Sequence, residues 1–195
     1  MLEANANAKA KAAALTRLRE QLLGLAGLLG GNLFGRLALH PSVTEISDKA
    51  LRGRLINAAW RRYGIVNSIS LLAVVVGWAG ARANEAAPSR LSTAERRLAT
   101  AKDALVGVVA VTGVATGVEG MRFARRAPGG GVPLEDGDHT APETSDSQRR
   151  AKQRLNLLGL TSLAAELGLV GVNAVLAQQG FRRPPRRRAI PWWRP

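Results

Sequence analysis

The sequence predicts an all-α protein: an antiparallel four-helix transmembrane bundle with a disordered acidic loop and a basic C-terminal tail. Three observations carry this expectation. Four apolar runs recur, at 22–39, 63–81, 104–121 and 157–177, each with only one or a few polar residues. At about 1.5 Å rise per residue, a helix needs roughly twenty residues to cross a hydrocarbon core of about 30 Å. Arginines bracket every run, and small residues recur at four-residue spacing inside each of them.

Residues 1–21 read as a basic helical extension, with Lys9, Lys11, Arg17 and Arg19 ahead of the first run. The basic region is long and no A-x-A site follows the run, so a retained helix is expected instead of a cleaved signal. The membrane domain spans 22–180. Pro41 is expected to end the first helix, because it lacks a backbone N–H and restrains the residue before it. Ser42 and Glu45 then match a capping box that would open the second helix.

Trp60 and Trp78 bracket the second run, about 27 Å apart at 1.5 Å per residue, and tryptophan favours bilayer interfaces. Both are read as membrane-interface anchors. A second capping box, Ser92 with Glu95, opens the third helix. The 127–143 segment is rich in Gly, Pro and acidic residues and is expected to be a disordered loop that buries no apolar surface. The fourth helix should start near 145–147 and stop at Gly180, a good residue just past a helix end. The 181–195 tail is rich in Pro, Arg and Trp. Arg182, Arg183, Trp192 and Trp193 are expected at the membrane interface of the cytoplasmic leaflet.

Composition narrows the function. The chain has 28 Lys+Arg against 14 Asp+Glu, a net charge of +14, and no cysteine. Disulfides and Cys-based metal centres are thereby excluded. The arginines flank apolar runs instead of alternating with base-stacking aromatics, so they are read as facing lipid headgroups, and nucleic acid is not the expected partner. His40 and His139 lie in different connections, and His139 in its acidic loop reads as solvated, so neither a metal nor another cofactor is expected. No P-loop, dinucleotide fingerprint or Ser/His/Asp arrangement occurs.

Lipid supplies no hydrophobic drive for helix pairing, so small residues matter because they let backbones approach. Gly27, Gly31 and Gly35 share a stripe on the first helix, Gly77 lies on the second, Gly113 and Gly117 on the third and Gly168 on the fourth. These stripes predict either tight intramolecular packing or an oligomer interface. Basic residues number fifteen on the side holding both termini and twelve on the other, which directs both termini to the cytoplasm.

Ionisable groups in a membrane default to a functional or pairing role. Arg36, Asn67 and Glu119 are expected in one layer toward the non-cytoplasmic side, with His40 just above and Glu166 about 13 Å into the fourth helix. Three accounts stay open. One is an ion pair of Arg36 with Glu119 or Glu166 that fixes helix register; another is a ligand or proton site. Glu119 reaching the interface beside Arg122 is a third.

Gly27 to Gly31, then His40-Pro41, then Trp60-Arg61-Arg62-Tyr63 resemble the small bacterial four-helix membrane proteins of the anthrone-oxygenase-like group and neighbouring uncharacterised families. The resemblance covers about residues 22–180 and implies a bacterial plasma-membrane protein. Its oxygenase members imply cofactor-independent oxidation of aromatic ketones, but no catalytic residue carries over to this chain. The acidic loop and the Trp/Arg tail depart from that pattern.

The expected role is therefore a non-enzymatic membrane subunit or scaffold, with the lipid bilayer and a homo-oligomeric or membrane-protein partner. The alternatives are a small-molecule membrane enzyme or carrier using the Arg/Glu residues, and a soluble or peripheral helical bundle.

Overall fold

A computed structural model describes residues 2–84, 86–127, 129 and 131–182. It is 85% helix, and the described residues contain no strand. Four long helices account for nearly all of it: α1 (Leu2–Phe34), α2 (Lys49–Ala83), α3 (Thr93–Arg125) and α4 (Asp146–Arg182). Each includes a stretch long and apolar enough to cross a membrane.

Pro41 does not end the first helix. The chain passes through a π-helical turn at Gly35–Leu39, an α-turn at His40–Ser42 and a 3-10 turn at Val43–Glu45. A proline clashes with the carbonyl four residues earlier, and widening the turn before it relieves that clash without breaking the helix. The Ser42–Glu45 capping box consequently does not form. Asp48 caps α2 instead, its Oδ1 accepting from the N–H groups of Ala50 (2.8 Å) and Leu51 (3.1 Å). The Ser92–Glu95 box is present at α3, with the Ser92 N–H donating to Glu95 Oε2 at 2.9 Å. Helix α4 starts at Asp146 as expected but runs through Gly180 to Arg182.

Small residues set the α1–α2 seam. A Cβ on Gly24 would overlap Ala73 and Val74, on Gly27 Ser70, on Gly31 the Tyr63 ring, and on Gly35 the Trp60 ring. Gly77 of α2 closes against Arg17 and Gln21 of α1. Rising numbers on α1 thus meet falling numbers on α2. Gly168 of α4 faces Leu105 of α3, and Gly113 of α3 faces Leu71 of α2. All four helices contribute to one core: Leu25 and Leu28, Val74 and Trp78, Ala99, Val106 and Val109, Ala165 and Leu169.

The 131–145 segment is ordered and buries apolar surface, against expectation. Val132 and Ala141 are fully buried, and Leu134 packs with Val43 and Ile56. The Leu134 N–H donates to the Lys49 carbonyl (3.0 Å) and the Gly137 N–H to the His40 carbonyl (3.3 Å). Gly53 permits this docking, since a Cβ there would collide with the Val132 carbonyl. The segment is a strap across the starts of α2 and α4 and the end of the first helix.

The two central tryptophans pack within the bundle. Trp78 is buried, and Trp60 is half-buried against Gly35, His40 and Tyr63. Both rings fill space between helices. The expectations for the Arg182 side chain and for Arg183, Trp192 and Trp193 lie outside the described residues.

Candidate functional site

Polar side chains gather at three levels inside the bundle. At the middle level Glu166 of α4 is completely buried. Asn32 Nδ2 donates to both of its carboxylate oxygens, at 2.8 and 3.0 Å, and Ser162 Oγ donates to Oε1 at 2.9 Å. Ser162 lies one turn before Glu166 on the same helix face, which is why it reaches the carboxylate. Asn32 comes across from α1. The group therefore ties α1 to α4 through neutral donors.

One end of the bundle is closed by Arg36, His40, Asp138 and Asn156. Arg36 Nη2 donates to the Asn156 carbonyl (3.1 Å), and its Nη1 lies 3.8 Å from Asp138 Oδ1. His40 Nδ1 meets the same Asp138 oxygen at 3.1 Å, and Asn156 Nδ2 donates to the Asp138 carbonyl at 2.6 Å. The His40 ring stands edge-on to Trp60, with centroids 6.1 Å apart. Its Nε2 is buried without a hydrogen-bond partner, and Lys152 is buried nearby on α4. The strap thus supplies the carboxylate for Arg36 and His40 in the turns that follow α1.

At the other end Lys102 Nζ donates to Gln21 Oε1 (3.0 Å) and sits 4.1 Å over the Trp78 ring. Trp78 Nε1 donates to Asp103 Oδ1 (2.8 Å), and Arg82 Nε donates to both Asp103 oxygens, at 3.2 and 3.0 Å. Arg82 also donates to the Ala86 carbonyl at 2.7 Å. This level joins α1, α2 and α3.

The residues singled out from sequence do not form one site. Arg36 and His40 meet, through Asp138. Glu166 binds Asn32 and Ser162 and does not pair with Arg36. Glu119 accepts from Arg122 on its own helix at 2.9 Å. Asn67 is half-buried on α2 and makes no hydrogen bond among the described residues. Sequence reasoning missed Ser162, Asp138, Lys152, Asn156, Gln21, Lys102 and Asp103. Ser162 was discoverable by its four-residue spacing from Glu166. Asp138 was not, because nothing local signals that its loop folds back.

Among the described residues no three His, Asp or Glu side chains are placed to hold a metal. His139 turns to Asp136 at 2.9 Å. Burial pushes the Asp136 carboxyl up, but hydrogen bonds from the His139 ring and from the Asp138 and His139 N–H groups outweigh it, holding the carboxyl below its usual value.

Chemically these groups are clasps. A polar group left unpaired in hydrocarbon costs several kcal/mol, so inward-facing donors and acceptors that find each other select one helix register. Comparison with protein-family models, curated proteins and solved structures returned no match.

Proposed function

We propose that the chain is an integral membrane protein, an antiparallel four-helix transmembrane bundle with both termini cytoplasmic, acting as a non-enzymatic subunit or scaffold. One observation carries the membrane reading: the bundle is inverted relative to a soluble one. Leu23, Leu37, Ile65 and Val111 are 69–75% exposed, while Gln21, Lys102, Lys152 and Glu166 are buried. In water such an exterior would leave a wide apolar belt uncovered; in lipid it costs nothing. The reading is tested by alkaline carbonate extraction. The protein should stay in the membrane pellet, and release into the supernatant overturns the reading in favour of a soluble or peripheral bundle.

The scaffold role draws on the outer face of α3. Gly107, Gly117 and Gly120 have no neighbour within 4 Å of where a Cβ would lie. A shallow groove lined by Ala110, Val111, Val114 and Val118 continues the Gly107 side of α3 to Glu119 and Arg122, with Gly117 about a quarter turn round the helix and Gly120 nearly opposite. A helix from a second copy or from a partner could approach closely there. Light-scattering mass determination on gently solubilised protein should give a homo-oligomer or a stoichiometric complex; a monomer without a partner overturns the scaffold reading.

A rival reading, a small-molecule enzyme or carrier, draws on the buried Glu166 group. Loss of the cellular phenotype in Glu166→Gln without loss of folding would favour it.

A further inference from the structure

A second groove lies on the outside of the α1–α2 pair, and its chemistry differs from that of the α3 face. It encloses about 300 Å³. Its floor is the α1 backbone at Gly27, Gly30, Gly31 and Gly35, and its walls include Phe34, Trp60 and Tyr63. It follows α1 and the π-turn from Leu39 to Ala26, thirteen residue steps and so about 20 Å at 1.5 Å per residue. That exceeds the depth of one leaflet's hydrocarbon, half of roughly 30 Å.

The floor serves two purposes. Gly31 and Gly35 are closed by the Tyr63 and Trp60 rings, whereas a Cβ on Gly30 meets nothing within 4 Å. Tyr63 donates its hydroxyl to the Gly27 carbonyl at 2.5 Å, so the wall presents its ring and no free polar group. The charge lies partway along the groove, between the Trp60 and Tyr63 levels. Helical spacing puts Arg62 beside Ala59 and Tyr63, on the groove's flank, and Arg61 on the far side of α2. Arg62 is exposed and has no acidic partner among the described residues. The groove is thus an apolar channel with one guanidinium on its flank: the Gly35–Trp60 and Gly31–Tyr63 contacts put Arg62 between those two levels, and a helical side chain leans toward the N-terminus of its helix, here the Leu39 end.

We propose that this groove holds one acyl chain of an anionic phospholipid whose phosphate meets Arg62. Charge complementarity selects this occupant. A neutral lipid would leave the guanidinium without a counter-charge, and a guanidinium binds phosphate oxygens bidentately. The inference rests on the membrane reading above.

The test is native mass spectrometry of the full-length protein, released from detergent after mixing with phosphatidylglycerol or phosphatidylcholine. One phosphatidylglycerol should be retained per chain in preference to phosphatidylcholine. Arg62→Gln should cut that preference about fivefold, equivalent to ~1 kcal/mol for one basic side chain at an anionic surface. Gly30→Leu should abolish retention with helical content and thermal midpoint unchanged, since the new side chain fills the groove without touching the packed seam. Equal retention of the two lipids by the native protein overturns the proposal. So does native-like retention in Gly30→Leu, or an unchanged preference in Arg62→Gln, which keeps the test decisive if Gly30→Leu fails to fold. Cross-linking of Gly30→Cys to a second chain assigns the groove to a protein neighbour and also overturns it. Carbonate extraction separates the two levels: release there overturns the membrane reading itself, whereas membrane retention with no lipid preference overturns only the lipid site.

Discussion

The α1–α2 seam and α3 both carry several glycines and use them in different ways. On α1, Gly24, Gly27, Gly31 and Gly35 are filled by side chains of α2, down to aromatic rings resting where a Cβ would be. On α3, Gly107, Gly117 and Gly120 face open space, flanked by Val111, Val114 and Met121, all more than half exposed. Small residues permit close approach in lipid but do not choose the partner. The choice is made by what faces them. Tyr63 and Trp60 are large, rigid and backed by a hydrogen bond to Gly27 and an edge contact with His40, so they lock the first seam. Among the described residues nothing comparable reaches the α3 face.

The largest expected effect breaks that contrast directly. Gly31→Leu would drive a side chain into the Tyr63 ring and should destabilise the bundle by about 3 kcal/mol, the upper range for overpacking. Gly117→Leu should stay within about 0.5 kcal/mol of the native protein, as a substitution at an open surface does. Thermal unfolding of both variants in one detergent measures the difference. Equal losses would mean that the α3 face is packed in the native protein. A changed oligomeric mass in Gly117→Leu alone would place the association on α3.

A second effect separates clasp from chemistry at Glu166. Glu166→Ala leaves the Asn32 amide and the Ser162 hydroxyl buried without their acceptor, at a cost of about 1–3 kcal/mol. Glu166→Gln keeps a carbonyl acceptor in the same shape and should lose clearly less. If Gln costs as much as Ala, the neutral side chain does not satisfy the donors, and the carboxylate's charge is itself required for packing.

Much of the fold was legible because it is local. Four apolar runs of bilayer length give four helices, and Ser92 with Glu95 marks a start within four residues of chain. Pro41 misled because the π-turn that absorbs it depends on Trp60 and the strap packing around Gly35 and His40, which no local pattern announces. The strap was illegible for a similar reason. Val132, Leu134 and Ala141 are too sparse among Gly and Pro to signal a core, and the surface that receives them, Gly53 and Ile56, lies about eighty residues earlier. The site followed the same division. His40 beside Arg36 came from helix geometry. Partners for Arg36 were sought among intramembrane carboxylates, whereas Asp138 arrives from the strap and leaves Glu166 to Asn32 and Ser162.

The smallest effect concerns how the strap, unlike the helices, is held. Its turn depends on Asp136, whose Oδ1 accepts from the Asp138 and His139 N–H groups at 2.7 Å each and whose carboxylate meets the His139 ring. The folded carboxyl sits below its ordinary value of 3.8, so the ionised form favours the docked strap. That contribution is fully present above about pH 4 and is lost as pH falls through the lower folded value. Because Asp136 is 38% exposed in its side chain, water screens the interaction and the effect should be slight. Hydrogen exchange of the Leu134 and Gly137 amides, which donate to Lys49 and His40, reads it specifically. Protection of these two amides, corrected for intrinsic exchange, should weaken below pH 4, while amides of Val74 and Val109 in the core keep theirs. In Asp136→Asn the two loop amides should be weakly protected at every pH. Protection that is as strong in that variant as in the native protein would mean that apolar burial of Val132 and Leu134 alone holds the strap down.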